Sequence, residues 1–284
     1  MAGSASGAAR EVIVASARQG EPDRYLAALL APLPARAGLL ALAAFLSELQ
    51  RVAWAVREPA MGMIRLQWWR DALQQPEGTR TGSPIADAVR KAARAHALPA
   101  NLLNDLIDVR LLDLEATALL DEAALQSYLW KSEGVAFLLA AHMLGARSLR
   151  QGEEAATTGA RAYGLARLLL ALPLTLSRGR LPLPLRHLAA GKEPKALLAG
   201  AGGAELAGLL SELCADSRRH HAACRQHVAK LPRKLRPAFL PLALVEPYLR
   251  RLERAGGEPL GKHAGIAPLV RVLRIAAAHG LGRL

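Results

Sequence analysis

The sequence predicts an all-α protein, one helical bundle built from Leu- and Ala-rich segments. Three observations lead there. Hydrophobic residues make up 52% of 284 residues while aromatics are only 4%, so the apolar content is Leu and Ala, residues that favour helix over strand. Pro and Gly punctuate long apolar segments at helical lengths. No stretch shows strand-type alternation, and no repeat or linker marks an internal boundary.

Each element follows from this punctuation. A first helix is predicted over Ala8–Arg18, and a second from Pro22 to just before Pro32. Pro34 opens a long one over Ala35–Val56, and Pro59 opens the next over Ala60–Gln75, each proline sitting in a first turn that tolerates it. Residues 75–83 (QPEGTRTGS) read as a loop. Ser83 caps Ile85–His96, Pro99 opens a helix to about Ala118, and Asp121 caps Glu122–Gly145. Gln151–Leu172 is helical and meets Pro173, after which PLTLSRGRLPLP (Pro173–Pro184) reads as a loop or short extended piece. Gly200–Gly203 precedes a long helix to about Leu231, and Pro237–Ala255 and Pro268–His279 close the chain. Residues 1–20 form an N-terminal segment, partly flexible, and 21–284 a single domain.

Charge and cysteines bound the function. The net charge is +13 and the pI about 10.6, which suits an anionic partner such as an acidic membrane surface, a diphosphate or an acidic protein; an Arg-rich background composition supplies the same number with no function. Zinc-finger spacing, helix-turn-helix spacing and basic–aromatic interleaving are all missing, so no nucleic acid is expected. Cys214 and Cys224 lie ten positions apart in one helix, about 15 Å along it, too far for a disulfide, which points to a reducing compartment. The first residues, MAGSASGAAR, lack a secretory core, and the longest apolar runs are about half of a membrane span. A cytoplasmic location is expected, peripheral on the inner membrane at most.

Several pieces of the chain resemble the squalene/phytoene synthase family. LALAAF (Leu40–Phe45) is similar to its L-x-x-L-Y-A-F, and MGMIRLQWWRDAL to its R-L-x-W-W-R signature. LNDLIDVRLLDLE, then YLWKSEGVAFLLAAHMLG, then YGLARLLLALPLTLSRGRLPLP follow in the family's order. The resemblance implies a helical bundle of the isoprenoid (trans-prenyl) synthase type. It also implies a chemistry, ionisation of a prenyl diphosphate whose leaving group is held by magnesium on aspartates from two helices.

Those aspartates are missing. The family's first motif, D-D-x-x-D, begins five residues after the Phe of Y-A-F. Counted from Phe45, its positions hold Gln50, Arg51 and Trp54. At the second motif, Thr175 stands where the first Asp belongs and Arg178 ends the stretch, and no Asp or Glu occurs between Ala155 and Lys192. The pattern resembles a branch of the family that serves assembly of respiratory complex I (NADH:ubiquinone oxidoreductase). It shares A-F-x-x-E-L (Ala44, Phe45, Glu48, Leu49), then Arg57, Glu58, Gly62 and Arg65, then Gln67, Trp68 and Trp69; RPAFLPLALVEPYLRRLER is also similar. This branch implies a protein client, a complex I subunit or assembly intermediate, and no cofactor. The alternative is a divergent prenyltransferase or prenyl-diphosphate binder, with magnesium if diphosphate is bound and a prenyl lipid as partner.

Candidate cavity or anion-binding residues are Glu48, Arg65, Trp68, Trp69, Arg70 and Arg180. The plainer reading beside each is structural. At least one tryptophan is core, because adjacent helix positions point about 100° apart. The arginines edge a helix, and Glu48 pairs one turn on with Arg51. Arg178 and Arg180 either grip a phosphate or form a basic loop without function. Asp105, Asp108 and Glu115 form an acidic helix face, read as solvated. His220, Cys224 and His227 share a face with metal-like spacing, but Arg218, Arg219 and Arg225 oppose a cation, so no metal site is expected.

Overall fold

The protein is described by a computed structural model. It covers residues 2–56, 58–114, 119, 121–178, 180, 182–184, 203–254 and 266–284. Twelve α-helices occur among these: α1 Ala2–Gly20, α2 Pro22–Leu30, α3 Leu33–Ala55, α4 Pro59–Gln74, α5 Pro84–Ala95, α6 Ala100–Leu112, α7 Glu122–Leu129, α8 Val135–Met143, α9 Glu153–Ser177, α10 Gly203–Lys230, α11 Val245–Arg254 and α12 Pro268–Leu281. A π-helical turn covers Trp130–Gly134 and a 3-10 helix Arg233–Leu244. The described residues contain no strand; Leu119 and Pro184 form one isolated parallel bridge.

The caps explain most boundaries. Ser83 accepts from the Ala86 amide at 3.3 Å, and Asp121 from the Ala124 amide at 2.8 Å, each satisfying an amide that the first turn leaves open. Prolines occupy the first turns of α2, α3, α4, α5 and α12. Both cysteines are free and buried on α10.

The chain divides into two compact units. The first comprises Met1–Leu114, Val135–Gln151 and Pro232–Leu240. Its spine is α3, buried from Gly38 through Ser47, as a helix apolar on every side must be. Helices α1, α2, α4, α5, α6 and α8 pack on this spine. Gly62 lets α4 approach α6, since a Cβ there would overlap the side chain of Leu114. The second unit comprises Glu115–Gly134, Gly152–Leu231 and Pro241–Leu284. Its spine is α9, packed by α7, the π turn, α10 and α11.

The structure corrects the sequence reading in three places. Pro173 does not end its helix. It lies inside α9, which continues to Ser177 because Leu172 and Leu176 are both buried; Thr175 and Ser177 direct their hydroxyls back to the Leu172 and Leu174 carbonyls. The helix expected over Glu122–Gly145 is split by the π turn, where Gly134 is required because a Cβ would run into the Trp130 ring. The segment opening at Pro237 is 3-10 through Leu244, since two prolines, 237 and 241, withhold the amides an α-helix needs there.

Candidate functional site

In the first unit, the C-terminal half of α3 and the whole of α4 carry Gln50, Arg51 and Trp54 and the candidate cavity residues Glu48, Arg65, Trp68, Trp69 and Arg70. Gln50 is half-buried. Its Nε2 donates to Glu21 Oε1 at 2.5 Å, and Arg24 Nη1 donates to Glu21 Oε2 at 2.8 Å. Glu21 is only 1% exposed, and the Arg24 guanidinium lies over the Phe137 ring, 5.1 Å from its centroid. Gln50 is therefore an amide closing a buried carboxylate–guanidinium pair. Such a charged group cannot be left without donors at this depth.

Glu48, the acid that remains nearby, is also engaged. Its Oε1 accepts from Ser16 Oγ at 3.0 Å and from Arg51 Nη1 at 3.3 Å. This ties α3 to α1, and the pairing with Arg51 one turn on is the one expected from spacing. Arg51 is exposed and Trp54 half-buried.

On α4 the two tryptophans part company. Trp69 is core, edge-on to Phe45 with centroids 5.0 Å apart. Trp68 is 40% exposed, against the edge of Trp69. Arg65 is exposed. Arg70 directs Nε and Nη2 at Asp108 Oδ1, at 3.2 and 2.6 Å, and Nη1 at Gln67; it joins α4 to α6. One feature of this helix was missed in the sequence: Met61, Ile64 and Trp68 are exposed and form an apolar row beside Arg65, while exposed Met63 lies on another face. The signal was present as an apolar helix face with too few polar breaks, but only the structure shows which face lacks a neighbour.

In the second unit, Thr175 is committed to the backbone, its Oγ1 donating to the Leu172 carbonyl at 2.9 Å. Its own carbonyl accepts the amides of Arg178 and Arg180. Both arginines thus follow the C-terminus of α9, where the helix dipole favours cations and opposes an anionic ligand. Gly179 lies outside the described residues, as do Arg57 and Glu115.

Several charged groups on α10 are paired within this unit. Arg161 is buried, bonding Asp216 at 2.7 Å and Glu122. Burial opposes ionisation of Asp216, but the hydrogen bond and charge of Arg161 outweigh it and hold the carboxyl below the usual range. His220 Nδ1 meets Asp216, and His227 Nδ1 meets Glu154 at 2.9 Å. Cys224 Sγ donates to the Ala155 carbonyl, and burial pushes its thiol up to about 12. These partners account for the histidine–cysteine spacing. Among the described residues no group of three His, Cys, Asp or Glu could hold a metal ion.

Magnesium requires near-octahedral oxygen ligands with carboxylates among them. The first group offers an amide already spent on Glu21, a guanidinium and an indole. The second offers one hydroxyl spent on a carbonyl. Neither set fits the ion, and no step through it can be drawn for this chain.

Comparison with known proteins agrees with the architecture. Complex I assembly factor 6 of Bos taurus is 26% identical over 239 residues, spanning 84% of this chain and 72% of its own length; the Homo sapiens protein of the same name gives the same figures. A squalene synthase, HpnC from Alicyclobacillus acidocaldarius, superposes with a TM-score of 0.71 at 17% identity, covering 88% of this chain and 94% of its own. A dehydrosqualene synthase superposes with a TM-score of 0.74 at 13% identity, over 97% and 98%. At such identities these structures show the fold alone, an isoprenoid synthase helical bundle. The family model for squalene/phytoene synthases matches residues 17–272, and the chain belongs to that family.

Proposed function

We propose that this chain is a non-catalytic squalene/phytoene synthase homologue that acts in assembly of respiratory complex I. Its partner is a complex I subunit or an assembly intermediate, met at the cytoplasmic face of the inner membrane, and it uses no cofactor. The observation that carries the reading is the use made of Gln50. Gln50, which counting from Phe45 puts at the family's first magnesium motif, is built into a buried structural network with Glu21 and Arg24. The similarity to complex I assembly factor 6 supplies the direction of the proposal. The exposed row on α4 supports it, since Met and Trp beside an arginine are residues that protein interfaces favour. No helix among the described residues is long and apolar enough to cross a membrane, in keeping with a peripheral position.

Deleting the gene tests the proposal. Levels of assembled NADH:quinone reductase are expected to fall, with subcomplexes accumulating, and full-length protein restores them. Unchanged enzyme level and activity in the deletion strain would sink the reading. The alternative, a prenyl-diphosphate binder, is favoured only by exposed Arg65 beside the apolar row. Saturable binding of farnesyl diphosphate, lost in Arg65→Ala, would turn the argument toward it.

A further inference from the structure

Helix α12 leaves most of its surface without a neighbour. Only Ile275 and Ala278 are buried along its length. Leu269, Val270, Val272, Leu273 and Leu281 are all exposed, Leu269 and Leu281 by 68% and 74%. At about 100° per residue, Leu269, Leu273, Ala276, Ala277 and Gly280 fall on one side and Val270, Val272 and Leu281 extend it. The exposed apolar arc thus covers roughly half the helix circumference or more. Arg274 and His279 stand at its two rims. From residue 259 to the C-terminus there is no Asp or Glu, while Lys262, Arg271, Arg274 and Arg283 are present.

An exposed apolar face this wide cannot stay in water without cost. The charge pattern selects what covers it. Arg274 at the rim and no carboxylate along the helix suit a surface that is apolar below and anionic above, which is the boundary of a bilayer carrying acidic phospholipids. A helix of 14 residues is about 21 Å long, enough to lie in that boundary and too short to span it. The net charge of +13 adds long-range attraction in the same direction.

We propose that α12 is the element by which this protein docks on an anionic membrane, lying in the headgroup layer with Leu269 and Leu273 inserted and Arg274 at the phosphates. The proposal rests on the proposed function for its peripheral location, yet vesicle binding reads it with no complex I assay, so the two fail separately. The full-length protein is floated with phosphatidylcholine vesicles and with vesicles in which about a third of the lipid is phosphatidylglycerol. Wild type is expected to float with the anionic vesicles only, and less as salt rises. Leu269→Asp/Leu273→Asp is expected to lose at least about tenfold in partitioning, since charge replaces inserted side chains. Arg274→Gln is expected to lose about fivefold. Helix content measured by circular dichroism shows that each variant is folded, because all three positions are exposed. No binding of wild type to anionic vesicles overturns the proposal. So does full binding by the double leucine variant, which would place the contact elsewhere on the basic surface. A wild-type dimer that the double variant dissolves would also overturn it, since a second copy would then cover the face.

Discussion

Placing an acid at Gln50, Gln50→Glu, is expected to destabilise the fold and not to confer magnesium chemistry. The substitution removes the donor to Glu21 and sets a second carboxyl about one hydrogen-bond length from Glu21 Oε1. Glu21 is buried and ion-paired with Arg24, and a second carboxylate beside it adds like charge at a site removed from water. A hydrogen bond to a charged group is worth about 1.5–3 kcal/mol. Like-charge repulsion adds to its loss, so the cost at neutral pH is on the order of 3 kcal/mol. In a chain of this size that lowers Tm by roughly 6–12 °C. The introduced carboxyl would titrate above the ordinary Glu value of about 4.3. Its charge cost is therefore absent at lower pH and grows as pH rises through its folded-state pKa. Gln50→Leu, which removes the donor without adding charge, is the control and should lack the pH-dependent part. The assay is urea unfolding followed by circular dichroism between pH 4 and pH 8. Equal stability of Gln50→Glu and wild type at pH 7 would refute the structural role given to Gln50.

Four further outcomes follow from the same structure. His221 is pushed down to about 4, first by burial and then by the Arg225 charge; the unfolded chain takes up its proton near pH 6.5. Stability should thus fall as pH drops below 6.5, by about 2–3 kcal/mol at pH 4, and His221→Gln should remove that part of the acid sensitivity; an unchanged urea-midpoint profile counts against it. Gly20→Ala should cost about 1–3 kcal/mol, because its Cβ would overlap Ser47, whose own Cβ lies 2.7 Å from that point; a thermal melt at or above wild type contradicts the packing. Arg161→Met should cost about 1.5–3 kcal/mol, since Asp216, which keeps Arg219, and Glu122 lose their shared cation; a loss below one kcal/mol, roughly the value of an exposed pair, would show the cluster to be solvated. Burial raises the Cys214 and Cys224 thiols to about 11 and about 12, so neither should be alkylated by iodoacetamide at pH 8 until urea is added. Rapid labelling of the native protein, read by mass spectrometry, would show the thiols to be accessible.

The helices were legible in the sequence because Leu/Ala content and proline punctuation are local signals. Ser83 and Asp121 cap where their spacing placed them. The absence of acids between Ala155 and Lys192 is also a local property and required no structure. What the sequence did not disclose depends on partners distant along the chain. Glu21 and Gln50 are 29 residues apart and carry no joint signature. Pro173 reads as a stop, yet the burial of Leu172 and Leu176 carries the helix through it. The π turn depends on Gly134 making room for Trp130, which no periodicity reveals. The two units are each assembled from separated stretches, and such a division leaves no linker in the sequence. Likewise the apolar faces of α4 and α12 resemble core faces until the structure shows them uncovered.

The scaffold keeps its bundle, and we propose that it has given up the magnesium-held diphosphate. Incubating the purified full-length protein with farnesyl or geranylgeranyl diphosphate, magnesium and NADPH tests it most directly. Pyrophosphate release is expected to be no faster than in the buffer control. Sustained release that follows the protein through purification would contradict it.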